Sequence, residues 1–144
     1  MQVEYKEVES INEFIDAIRL RADIFIIEQG FKPGWEPDED DKVSKHYISI
    51  VDNEIVGAAR FREVSSSEFK IERMVTKKEL RSKHIGTGLI EFMITDIKKL
   101  KPKRIWVRSQ VRSQFFYEKV NFTAISKPYD LWGVQHIDMD YNKK

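Results

Sequence analysis

The stretch Arg81-Ser82-Lys83-His84-Ile85-Gly86-Thr87-Gly88 joins a strand pattern at 69–76 to an amphipathic helix pattern. Glycine at 86 and 88 lets backbone approach a ligand closely, and the N–H groups at a helix start carry about half a positive charge. Lys77, Lys78, Arg81 and Lys83 crowd the same segment. Together these features read as a cradle for phosphate or pyrophosphate. The competing reading is a glycine-containing helix start on a solvated basic face. A P-loop is excluded because Leu89 and Ile90 follow Gly88, where Lys and Ser or Thr belong. A dinucleotide fingerprint is excluded because position 91 is Glu rather than Gly.

Working outward, Ile85, Leu89, Phe92, Met93, Ile97 and Leu100 keep one helical face apolar until Pro102 ends it. Upstream, a short strand at 2–8 precedes a capping box, Ser10-Ile11-Asn12-Glu13, and a helix predicted over 11–27. Gly30, Pro33, Gly34 and Pro37 break the periodicity, so 28–45 reads as a long loop with room for one helical turn. Strand patterns follow at 46–51 and 55–64, joined by an Asp52-Asn53-Glu54 turn, and at 69–76. Downstream come a strand at 104–108, a short helix at 111–119 and strands at 121–127 and 134–141. This order predicts an α/β fold with a mixed central sheet flanked by helices, built as one domain over 1–144. The unit at 69–108 should be a parallel crossover.

The chain has 144 residues, no cysteine, and 25 Lys+Arg against 24 Asp+Glu. Absence of cysteine excludes disulfides, thiolate metal sites and a cysteine nucleophile. No uncharged run exceeds seven residues, so no membrane helix is expected, and the N-terminus lacks a signal-peptide pattern. A cytoplasmic location is expected. The net charge of +1 speaks against nucleic acid as a partner, but it conceals a split. Residues 1–41 carry 12 acidic and 4 basic side chains, and 42–144 carry 12 acidic and 21 basic. The acidic run Glu36-Pro37-Asp38-Glu39-Asp40-Asp41 departs from the calcium-loop pattern at Lys42 and Val43, and the three histidines lack metal-ligand spacing. No metal is expected. The acidic run reads as a solvated lid or as a field attracting a cationic amine.

Several segments together are similar to the GNAT acetyltransferase superfamily, in particular its ElaA/YjcF-like branch. Arg81 to Gly88 resembles the motif that cradles the acetyl-CoA pyrophosphate. Arg21-Ala-Asp-Ile-Phe-Ile-Ile-Glu28-Gln29, Phe116-Tyr117-Glu-Lys-Val-Asn-Phe122 and Gly133-Val-Gln-His136-Ile-Asp-Met139 resemble three further family segments in the same order. Two positions depart from the pattern. His84 replaces the first motif glycine, which a right-handed conformation there would accommodate, and Asn121 replaces another, where Asn tolerates a left-handed conformation.

The resemblance implies a GNAT acyl-CoA N-acyltransferase-like fold and acetyl transfer from acetyl-CoA, as co-substrate, to a small-molecule or peptide amine in a ternary complex. It implies cofactor contacts from Met74, Thr76, Arg81, Ser82, Lys83, Ile85, Gly86, Thr87 and Gly88, with Tyr117 as general acid at the sulfur. Tyr117 also reads as a buried aromatic beside Phe115 and Phe116. For the general base, Glu28, Glu72 and His46 are candidates, each with an ion-pair or hydrogen-bonded structural reading, and a water chain is an alternative. Two other functions stay open: a non-catalytic acyl-CoA sensor and an acyltransferase using longer chains. Nothing decides the oligomeric state, and a homodimer is compatible with the fold.

Overall fold

The strand patterns pair into one eight-stranded sheet in the computed structural model, of which residues 1–142 are described. The last two positions of the expected 1–144 domain lie outside the described residues. The order across the sheet is β1 (Glu4–Glu7), β2 (Lys45–Val51), β3 (Glu54–Ser65), β4 (Glu68–Thr76), β5 (Arg104–Gln110), β8 (Val134–Tyr141) and β6 (Phe122–Ala124). A further strand, β7 (Tyr129–Leu131), pairs with the first half of β8. Among the described residues only β4 and β5 run parallel, as the crossover through the helix α2 (Ile85–Lys98) requires.

Period-two alternation sends Tyr47, Ala59, Phe61, Phe69 and Ile71 to one face, where Leu89, Ile90, Met93, Ile94 and Ile97 of α2 bury them. Ile48, Ala58 and Val75 face the other way and pack under Ala17 of α1 (Ile11–Ala22) and under Ile24 and Phe25. The Ser10 hydroxyl accepts the Glu13 N–H, and Glu13 in turn accepts the Glu9 N–H, so the expected cap forms one residue off the reciprocal pattern. The helix expected over 11–27 changes pitch after Ala22 and continues as a wider-wound π segment, Asp23–Glu28.

The loop expected over 28–45 holds two 3₁₀ turns, Pro33–Trp35 and Glu39–Val43. The helix expected at 111–119 opens as 3₁₀ and becomes α3 over Gln114–Lys119. Strand β7 has no counterpart in the sequence reading. Its three residues offer too short an alternation, and it forms because Trp132 and Gly133, with φ of 56° and 78°, close a tight hairpin onto β8.

Candidate active site

β4 and β5 hydrogen-bond only from Glu68–Arg104 to Ile71–Val107, although β4 continues to Thr76 and β5 to Gln110. Beyond that point the two strands part. A bulge marks the place: Ala58 pairs with Val75 but Arg60 with Glu72, and Arg73 takes φ 57°. The parting opens into a cavity of about 490 Å³ whose walls include Phe25, Met74, Arg108, Gln110, Tyr117 and His136.

The floor of this cavity is built from charge. Arg60, Arg62, Lys70 and Glu72 alternate with the apolar residues of β3 and β4, so they point away from α2, with Arg60 opposite Glu72 and Arg62 opposite Lys70. Burial of so many ionised groups requires partners. The acidic loop supplies them. Arg60 donates to Asp38 and Asp41, both at 2.6 Å, and the buried Arg21 donates to Glu36 and, at 2.8 Å, to Asp41. Arg73 reaches Glu36 at 2.8 Å and Asp38 at 2.9 Å and lies 4.7 Å over the Trp35 ring. Burial raises the Asp41 carboxyl, but Arg21 and Arg60 outweigh it and hold the group at about 2. The acidic run is therefore not a free field for a cationic amine, and although Glu39 faces solvent it is not solvated throughout. Its Glu36 and Asp41 side chains are 0% and 4% exposed, closing over the sheet's arginines.

The three residues considered as general base are each engaged elsewhere. Glu72 lines the cavity but is held by Arg60, Arg62 and Lys70; against the upward push of burial, these cations bring it down to about 2. A carboxylate so stabilised is a poor proton acceptor at neutral pH. Glu28 lies outside the cavity and is gripped by both terminal nitrogens of Arg81, which lowers its pKa. His46 donates Nε2–H to the Asp41 carbonyl at 2.9 Å and meets Phe14 edge to face, so it buttresses the acidic loop. Burial lowers its pKa. Arg21 and Arg73 both hold Glu36 rather than Glu28 or Glu72.

Tyr117 stands in the cavity wall, 7% exposed, packed edge-on against Phe116 and Phe122. Burial pushes its hydroxyl above the ordinary range, so it keeps its proton at physiological pH. Met74 lines the same cavity, and Thr76 ends β4 with its carbonyl accepting Arg81 Nε–H at 3.0 Å.

At the start of α2, the first intrahelical bond runs from Gly88 N–H to the His84 carbonyl, which leaves the N–H groups of Ile85, Gly86 and Thr87 without helical partners. The Ile85 side chain is buried in the core with Val51 and Val56, so it offers only backbone. Gly86 is closely bounded: a Cβ would fall 3.2 Å from the Phe116 ring and 3.3 Å from Thr76 Oγ1. Gly88 is needed for a different reason than the one expected, since a Cβ there would collide with the Tyr5 hydroxyl. Lys83 and Ser82 are exposed, and Ser82 takes φ 69°. The expectation of a right-handed His84 is overturned, because it sits at φ 63°, ψ 17°. The glycine-type conformation persists without the glycine. Asn121 takes φ 75°, the left-handed conformation anticipated for it.

Among the described residues, no group of His, Asp or Glu is arranged to hold a metal. Among the same residues, no helix is long and apolar enough to cross a membrane.

A sheet that parts between two parallel strands, with a helix N-terminus beside the gap, is the architecture of acyl-CoA N-acyltransferases. A profile of the acetyltransferase (GNAT) domain matches residues 27–143, and the chain belongs to that family. It is 25% identical over 136 residues to protein ElaA of Escherichia coli K12, covering 90% of this chain and 88% of that one. The crystal structure of E. coli ElaA superposes with a TM-score of 0.87 at 22% identity, over 98% of this chain and all of the other. An acyl-CoA N-acyltransferase from Pseudomonas aeruginosa superposes with a TM-score of 0.84 at 21% identity, over 98% and 100% of the two chains.

Sequence reasoning passed over Arg60, Arg73, Asp38, Arg108 and His136 as parts of this site. For Arg60 a signal was present: charge at 60, 62, 70 and 72 alternates with apolar side chains, placing four ionised groups on one inward face. For Arg73 none was, since only the bulge turns it toward the acidic loop.

Proposed function

We propose that this chain, acting as a single domain over 1–144, is an acetyl-CoA-dependent N-acetyltransferase that passes an acetyl group directly to an amine in a ternary complex. The observation that carries this reading is the parting of β4 and β5 beside Met74 and Tyr117, with Gly86 at the start of α2 packed against Thr76 at the end of β4 and against Phe116.

The residues fit the co-substrate. The N–H groups of Ile85, Gly86 and Thr87 present three donors and the positive end of the α2 dipole to a pyrophosphate, with Ser82 and Lys83 beside them. Phe116 and Thr76 close around Gly86 so tightly that a side chain there would press on both, which keeps backbone accessible at that point. Met74 and Thr76 offer the free edge of β4 to an extended pantetheine arm. Bound there, acetyl-CoA supplies an activated acetyl group. Tyr117 holds a proton at its hydroxyl for the departing sulfur. Phe25, Trp35 and Trp132 supply aromatic wall to the acceptor side of the cavity.

The test is kinetic. Tyr117→Phe should lower CoA release by about 10²- to 10⁴-fold, the usual contribution of a positioned acid, while acetyl-CoA affinity stays near that of the parent protein. Unchanged release would remove Tyr117 from the mechanism, and parallel rather than intersecting initial-rate lines would contradict direct transfer.

A further inference from the structure

With Glu28, Glu72 and His46 committed elsewhere, another proton acceptor is to be sought in the cavity wall. His136 lines it and is 5% exposed. The tight turn at Trp132–Gly133 folds β7 onto β8, setting Tyr129 opposite His136, while β5 sets Gln110 on its other side. The ring is held by its surroundings. Trp132 meets it edge to face at 5.7 Å, and the Tyr129 ring lies 6.4 Å away.

Its Nδ1 lies 2.8 Å from the Val134 carbonyl. A carbonyl only accepts, so Nδ1 must carry the hydrogen. In the neutral ring the lone pair is then on Nε2, which has no hydrogen-bond partner among the described residues. The carbonyl fixes the tautomer in the way a proton-accepting imidazole needs. On its sheet face the neighbouring ionisable groups are Tyr129 on β7, Asp138 on β8 and Arg108 on β5, and the cavity it lines also holds Tyr117 and the charged floor around Arg60 and Glu72. Tyr129 and Asp138 are already linked, the Tyr129 hydroxyl bonding Asp138 and accepting Arg108 Nε–H at 2.8 Å. His136 is thus an imidazole in the cavity wall whose Nε2 lone pair is not engaged by the described residues.

We propose that His136 is the general base of the transfer reaction, a role that rests on the acetyltransferase reading above. An ammonium has no lone pair with which to attack. Nε2 of His136 takes its proton, and the freed nitrogen pair forms the C–N bond to the acetyl carbon. The C–S bond breaks, its electron pair leaves on sulfur, and the Tyr117 hydroxyl protonates that sulfur. The proton shed by the new amide nitrogen restores Tyr117 through the open cavity, and His136 releases its own to solvent. One proton is liberated per amine acetylated.

The test uses His136→Gln alongside the parent protein, with acetyl-CoA and a panel of alkylamines, polyamines, aminosugars and amino-terminal peptides. At pH 7 the variant should bind acetyl-CoA as the parent does but release CoA about 10²- to 10⁴-fold more slowly. The deficit should close as pH approaches the amine's own pKa, about 10 for an alkylamine, because solvent then supplies the neutral nucleophile. In the parent, the imidazole ¹⁵N spectrum should show His136 protonated at Nδ1 and bare at Nε2. Equal rates for the two proteins at pH 7, a deficit that persists at high pH, or a bare Nδ1 would each overturn the role. If the parent releases no CoA with any amine, the acetyltransferase reading itself fails and the inference with it; a parent that works beside an unimpaired variant defeats the inference alone.

Discussion

Arg81 grips both carboxylate oxygens of Glu28, at 2.7 and 2.9 Å, while its Nε donates to the Thr76 carbonyl. The guanidinium expected at the phosphate cradle is thus tied to the carboxylate considered as the base, and each withdraws the other from its anticipated task. An exposed pair of this kind stabilises a fold by about 0–1 kcal/mol, so its effect on ligand binding should exceed its effect on folding. Glu28→Gln should free Arg81 for phosphate and tighten acetyl-CoA binding, by about two- to tenfold, or up to 1.4 kcal/mol. CoA release should be retained. Calorimetry and initial rates check both, and a hundredfold fall in turnover would restore Glu28 as a catalytic group.

His84 pays for a conformation that glycine adopts freely. A side chain at φ 63° costs about 1–2 kcal/mol, and glycine's extra backbone entropy offsets about half of that. The imidazole makes no capping bond to α2, so nothing is lost with it. His84→Gly should therefore stabilise the protein by about 0.5–1 kcal/mol, a rise of about 2–4 °C in Tm. A fall in Tm by thermal denaturation would show that the ring contributes packing that outweighs the strain.

Asp41 and Glu72 sit near 2 in the folded protein against ordinary values of 3.8 and 4.5, held down by Arg21, Arg60, Arg62 and Lys70 despite their burial. A carboxyl whose folded pKa is lowered contributes stability that is complete above its unfolded pKa and is lost as pH falls through the folded one. The contribution of these two carboxylates should be level above about pH 5 and fall steeply between about 4 and 2. Urea midpoints across that range test the sign; a midpoint that rises on acidification would contradict it.

The same cluster predicts an unequal response to substitution. Arg60 is 1% exposed and serves Asp38, Asp41 and Glu72, so Arg60→Met strands carboxylates in a buried place. Removing one partner of such a cluster costs about 3–5 kcal/mol, a large part of the total stability of a small domain. Arg62, 22% exposed at its side chain, shares Glu72 with Arg60 and Lys70, so Arg62→Met should cost about 1 kcal/mol. Equal losses in urea unfolding would mean that the two arginines are not distinguished by burial.

Most of the sheet could be read from the chain because its strands are long and their alternation is regular, as in Tyr47-Ile48-Ser49-Ile50 and Ala58-Ala59-Arg60-Phe61. The helix beginning at Ile85 was equally plain, with Pro102 beyond its end. Strand β7 escaped because three residues carry no period. In the site, Tyr117 and the glycine segment stood out through resemblance. The fate of the acidic loop did not, since Asp38 and Asp41 find Arg60 only after β3 and the loop come together, 22 and 19 residues apart in sequence. His84 was misjudged for a local reason: its left-handed backbone is dictated by the join between β4 and α2, which a histidine side chain gives no hint of.

If the gap between β4 and β5 and the start of α2 form an acetyl-CoA site, a calorimetric titration of the protein with acetyl-CoA will show it. Saturable binding of one acetyl-CoA per chain is expected, with a dissociation constant of about 10⁻⁴ M or tighter. Absence of saturable heat at millimolar acetyl-CoA would contradict it.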